Sequence, residues 1–202
     1  MDVSNKTISK AVMHNILLID AMGGSLPLED RAEIDYTWVD FFLKHWKLSR
    51  GMQNKKECAG ILSDHFDSLQ GHNDPENVDD LALNLGEIAR TDQIYVPLSL
   101  ASKFAFLVNP NAFMPMDTLN KKALSRELTA FPKYRLGNYR FFLQEFHRQF
   151  EAHEATINQI VRQDWVRTAL GAVNINPAYA DERWFSRKVF DTVLMINAGW
   201  DS

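Results

Sequence analysis

The sequence has a single cysteine, Cys58, in 202 residues. That excludes an internal disulfide, a four-cysteine zinc site and a cysteine-held iron–sulfur cluster, and makes a reducing, cytoplasmic setting the expectation. Long hydrophobic runs are also missing. The most apolar stretches, Ile16 to Ile19 and Phe104 to Val108, fall far short of the roughly 20 residues a membrane-crossing helix needs. The opening MDVSNKTISK has no signal-peptide core, so neither export nor a membrane partner is expected. An excess of positive charge is absent too, with 22 Lys and Arg against 26 Asp and Glu and a net charge of −4. The surface as a whole therefore does not attract nucleic acid or anionic lipid, and any contact with DNA or RNA has to be local. With 9 Gly, 7 Pro and no repeat or low-complexity tract, nothing suggests a linker between independent domains.

What the sequence does have is helical periodicity. Between turn signals the apolar residues recur every three to four positions, which predicts an all-α fold of about eight helices in one domain, with lobes at 1–95 and 96–202 if the body divides. Ile8, Ala11, Val12, Ile16 and Ile19 form one stripe of a helix from about Thr7 to Met22, stopped at Gly23 and Gly24. Glu29 and Asp30 suit the start of an aromatic-rich second helix that buries Ile34, Trp38, Phe41, Phe42 and Leu48 and ends before Gly51. Cys58, Ile61, Leu62, His65, Phe66 and Leu69 share one face of a third, closed by Gly71 and predicted to pack on the second. Val78 to Ala89 reads as a fourth. Pro97 or Ser99 opens a fifth, which Asn109-Pro110 has to end because the residue before proline is pushed out of the helical region. Asp117 occupies an N-cap position before Leu119 to Leu128. Phe142, Phe146, Phe150, Ile157, Ile160 and Val161 predict a long helix from Asn138 to about Gly171, any bend falling in the polar run Glu151 to Thr156. After a loop, a last helix buries Phe185, Val189, Thr192, Val193 and Ile196.

Charge is unevenly spread. From Glu57 to Asp92 the acids are Glu57, Asp64, Asp67, Asp74, Glu76, Asp79, Asp80, Glu87 and Asp92, against Arg90 alone. From Thr118 to Gln149 the bases Lys121, Lys122, Arg126, Lys133, Arg135, Arg140 and Arg148 outnumber Glu127 and Glu145. The two segments either neutralise each other by packing side by side, or leave a basic strip, interleaved with Phe131, Tyr134 and Tyr139, that fits a phosphate backbone and its bases.

Residues 96–124 carry the most specific signal. They read as a helix holding Ser102, Lys103, Phe104 and Ala105, a loop with Pro110, Phe113 and Pro115, and then Met116-Asp117-Thr118 opening a second helix. The segment resembles the part of the helix-hairpin-helix DNA glycosylases, the endonuclease III superfamily, in which a hairpin leads into a helix, a loop and a Val-Asp-Thr at the next helix start. It is also similar to bacterial proteins with a Ser-x-x-Lys helix followed by Pro-x-x-Phe-Pro and an aspartate. The resemblance implies a two-lobed helical fold with a cleft, and cleavage of the N-glycosidic bond of an extruded base, with no cofactor expected. Asp117 would then stabilise the sugar cation or activate water. Lys103 would attack the anomeric carbon as an amine whose proton affinity is lowered by burial. Lys121, Lys122, Arg126, Lys133, Arg135 and Arg140 would face the DNA. The chain departs from the family in three places. Ile94 to Ser99 has no glycine for the hairpin turn; Lys103 and Asp117 are 14 positions apart, about one helical turn closer than in the lyase members; and Leu119-Asn120 stands where the family has His-Val.

Each of these residues also has a reading without chemistry. Asp117 can simply cap its helix, and Lys103 can be a solvated lysine on a helix whose apolar side is Leu100, Phe104, Leu107 and Val108. The alternative function is accordingly a non-catalytic cytoplasmic helical protein that binds another protein. Asp64, His65, Asp67, His72 and Asp74 gather oxygen and nitrogen ligands but lack His-x-x-x-His spacing, so they read as a helix end and loop. His147 and His153, six apart, fall on different helix faces, and His45 reads as a partly buried histidine.

Overall fold

The computed structural model describes residues 1–23, 26–28, 34–46, 48, 52, 54–89, 97–128 and 133–200, with only the backbone at 133 and 134. Gly24, Glu29, Asp30, Gly51, Arg90, Asp92, Ile94 to Val96, Phe131 and the side chains of Lys133 and Tyr134 lie outside the described residues. Among the described residues the chain is all-α, as the periodicity predicts, with no strand. Nine helices follow in order: α1 (Asn5–Ala21), α2 (Tyr36–His45), α3 (Lys55–Gly71), α4 (Glu76–Ile88), α5 (Leu98–Val108), α6 (Thr118–Glu127), α7 (Tyr139–Val161), α8 (Asp164–Ala172) and α9 (Arg183–Asn197). Short 3₁₀ turns occupy Lys133–Gly137 and Pro177–Asp181. No helix among the described residues is long and apolar enough to cross a membrane.

The helices group into two units. One joins the ends of the chain, Met1–Leu26 with Met116–Ser202, and the other is Pro27–Pro115. In the second unit, Asp35 and Asn54 cap α2 and α3 by accepting from the N–H of Trp38 (2.8 Å) and Glu57 (3.3 Å). Cys58, Leu62, Phe66 and Leu69 are buried on α3 as predicted, while Ile61 and His65 at the edge of that stripe are only half-buried. On α2 the buried residues are Val39, Phe42 and Leu43, and Phe41 is 43% exposed. The expected stripe of Trp38, Phe41 and Phe42 is thus rotated: a run of adjacent aromatics cannot all face inward on a 100° step, and Phe42, stacked on Trp38 at 5.1 Å, takes the core position. Asn109 ends α5 and ties it to α3, its amide donating to the carbonyl of Leu69 (3.3 Å) and its Oδ1 accepting from Ala112 (3.2 Å).

In the first unit, α1 stops where Gly23 takes a φ of +93°, a left-handed angle that costs glycine little. Helix α9 is the centre of this unit, with α1, α6, α7 and the Pro177–Asp181 turn all packed on it. Every residue from Trp184 to Leu194 is buried, far more than the single predicted face. The long helix expected from Asn138 to Gly171 is two helices, and the break is not in the run Glu151 to Thr156. It falls at Arg162 and Gln163, where Gln163 goes extended (ψ 150°) and begins α8. No proline or glycine marks that place in the sequence.

Candidate functional site

The start of α6 is built by a reciprocal cap. Asp117 Oδ1 accepts from the backbone N–H of Leu119 (2.9 Å) and Asn120 (3.0 Å), and Asn120 Oδ1 accepts in return from the N–H of Asp117 (2.9 Å). These bonds satisfy three N–H groups that a helix start otherwise leaves open. Asp117 is half-buried, and its second oxygen, Oδ2, takes no hydrogen bond from the described residues. The cap that sequence reading offers as the plain role of Asp117 is therefore present in full.

The cap continues into the core. Asn120 is fully buried and donates through Nδ2 to Asp191 Oδ1 of α9 at 2.9 Å, and Lys188 Nζ donates to Asp191 Oδ2 at 2.6 Å. Asp191 and Lys188 are 1% and 4% exposed. Burial pushes the Asp191 carboxyl above the usual carboxylate range, Lys188 opposes that rise, and the charge of Asp117 adds to it. Asn15 of α1 joins from the other side, donating to Lys188 O (3.3 Å) and Thr192 Oγ1 (3.0 Å). None of this was legible in the sequence, where Lys188 and Asp191 look like the solvated face of an amphipathic helix.

Lys103 belongs to the other unit. It is 8% exposed, not solvated, because α5 is buried on all sides from Leu100 to Val108. Its ammonium lies 5.5 Å from the centroid of the Trp46 ring, a cation–π contact. Lys103 and Asp117 thus belong to separate units, and a chain of hydrogen bonds through Asn120 and Asp191 joins Asp117 to Lys188.

The bases of the predicted strip fall on neighbouring elements of the first unit: α6, the Lys133–Gly137 turn and the start of α7. Lys122, Arg126, Arg135 and Arg140 are exposed and Lys121 is half-buried. Lys122 Nζ and Arg126 Nη1 donate to the carbonyls of Ala198 (3.4 Å) and Asn197 (3.0 Å), where cations complement the negative end of α9. The Arg135 guanidinium stacks 4.9 Å from the Phe141 centroid. Those partners are neutral. Among the described residues no carboxylate pairs with Lys121, Lys122, Arg126 or Arg135, whereas Arg148 is held at both nitrogens by Glu145 (2.9 and 2.7 Å).

His65 Nε2 meets Asn84 Nδ2 at 2.8 Å, while Asp64, Asp67, His72 and Asp74 are exposed; among the described residues no group of His, Cys, Asp and Glu can hold a metal ion. Cys58 is buried, its thiol pushed up to about 12, which leaves no thiolate to act as nucleophile. On α7, burial together with the nearby Arg187 and Arg183 pushes His147 down to about 4. Arg187, 4% exposed, is itself pushed down to about 10 by burial. No family model, no curated protein and no solved structure matches this chain.

Proposed function

We propose that this chain is a DNA-glycosylase-like protein that binds modified bases in DNA through the basic face of its first unit, with Asp117 as the acid that would face an extruded nucleotide. The observation that carries the reading is the set of cations on α6 and the adjacent turn, Lys122, Arg126 and Arg135, whose described partners are carbonyls and a ring, with no carboxylate paired to them among the described residues. Phosphates supply that compensation and release counterions in doing so. Asp117 opens the same helix that carries Lys121, Lys122 and Arg126, and its Oδ2 has no bond from the described residues. A carboxylate held there stabilises positive charge developing on a sugar once water is excluded by the bound strand.

Duplex binding should weaken steeply with salt, and Lys121→Glu is the clearest probe because Lys121 makes no bond to the end of α9. The slope of log K against log salt should fall by about 1 to 2 for this charge reversal. Binding that ignores salt, or its absence at low salt, would refute the reading. Asp117→Asn keeps an oxygen for the cap, so base release by the parent protein should be lost by orders of magnitude with little change in Tm.

One observation favours a second reading, a helical interaction protein without chemistry. Met13 and Leu17, one turn apart on α1, are 43% and 58% exposed, an apolar pair suited to a protein partner. Inactivity on every modified-base duplex, with loss of a protein partner on Met13→Glu/Leu17→Glu, would favour it.

A further inference from the structure

We propose that Asp191 of α9, paired with Lys188 and acting through Asn120, is a positioning residue for Asp117; the inference rests on the reading of Asp117 given above. In the usual capping box the reciprocal partner is a Glu or Gln that reaches back to the N-cap N–H. Here it is Asn120, fully buried, with both ends of its amide committed: Oδ1 to the Asp117 N–H at 2.9 Å, and Nδ2 to Asp191 Oδ1 at 2.9 Å. Asp191 is fixed in turn by Lys188 Nζ at 2.6 Å. The backbone carbonyl of Lys188 accepts from Asn15 Nδ2 and Thr192 Oγ1, both at 3.3 Å, so the pair is anchored on two helices.

A buried ion pair is a costly way to join two helices, since apolar side chains of similar size often do so as well or better. What apolar side chains cannot do is orient an amide. A carboxylate only accepts, so it must face Nδ2 of Asn120, and Oδ1 is thereby forced toward the Asp117 N–H. Flipped, the amide would set oxygen against carboxylate and N–H against N–H. The accepting oxygen of Asp191 therefore fixes Asn120 in one orientation, and that orientation fixes the main chain of Asp117. The Asp117 carboxylate is then held by one oxygen on the helix start, with Oδ2 left for a substrate.

The test compares two double variants, each removing both buried charges. Lys188→Met/Asp191→Asn keeps an oxygen for Asn120, and Lys188→Met/Asp191→Leu does not. Amide hydrogen exchange at Leu119 and Asn120 should match the parent within a few-fold in the first and be at least tenfold faster in the second, with the core amides of α7 equal in both. Equal exchange at Leu119 in the two variants would overturn the proposal. Should the leucine variant fail to fold, Asn120→Ala in the parent carries the comparison: faster exchange at Leu119 supports the proposal and unchanged exchange overturns it. If the parent releases a base from a duplex, kcat should fall in the same order with KM unchanged. A parent that releases none removes catalysis from Asp117, and the exchange rates still decide the positioning.

Discussion

His147 is half-buried on α7, with Nε2 cut off from solvent and without a hydrogen-bond partner among the described residues. Protonating it there would place a cation in a dry site beside Arg187 and Arg183, which is why its pKa falls from 6.5 to about 4. In the unfolded chain the same ring takes a proton near 6.5, so between about 4 and 6.5 the unfolded state binds more protons than the folded one. Stability therefore falls as pH drops through that window and levels off below it. With allowance for solvent at a half-buried ring, the loss is on the order of 2 kcal/mol. His45 and His153 are also lowered by burial and add to the slope. Urea denaturation of the parent and of His147→Gln at pH 7, 5.5 and 4 isolates this residue: the gap between them should shrink or reverse as pH falls. A gap independent of pH would show that His147 does not titrate this way.

Helices α6 and α9 meet through charge as well as packing. Lys122 and Arg126 bond the last carbonyls of α9, and each such contact contributes about 0.3 to 1 kcal/mol at low salt. Lys122→Gln/Arg126→Gln should accordingly lower stability by about 1 kcal/mol, an effect that shrinks in high salt; a salt-independent loss would point to packing of the side-chain stems instead. The start of α6 was legible in the sequence because capping is local: an aspartate followed three residues later by a second polar side chain says nearly everything about the first turn. The polar half of α9 was not. Ser186, Arg187, Lys188 and Asp191 have the spacing of a solvated face, and only the packing of α1, α6 and α7 on the same helix makes them interior. The solvated reading of Lys103 fails for the same reason, because a helix buried from Leu100 to Val108 has no outer face to hold it. The break between α7 and α8 carries no proline or glycine. Where several aromatics adjoin, as at Phe41 and Phe42, periodicity finds the helix but not its rotation.

The first unit is closed by the two ends of the chain. Asp2 N–H donates to Asn197 Oδ1 at 2.7 Å, and Asn197 Nδ2 donates back to the carbonyl of Asp2 at 2.9 Å. Asn15 reaches Thr192 across 177 positions of sequence. Contacts this remote close long loops, so they are stable only together with the rest of the unit. Phe190 tests that unity. Its ring is fully buried on α9, 5.3 Å from Phe146 and 5.8 Å from Phe150 on α7. Phe190→Ala removes buried area and leaves a cavity, at a cost of about 3 to 5 kcal/mol. If the unit Met1–Leu26 with Met116–Ser202 unfolds as one body, amides of α1 should lose hydrogen-exchange protection by the same factor as those of α6, α7 and α9, despite the distance in sequence. Protection retained in α1 while α7 and α9 lose theirs would mean that the N-terminal helix is not part of one cooperative unit.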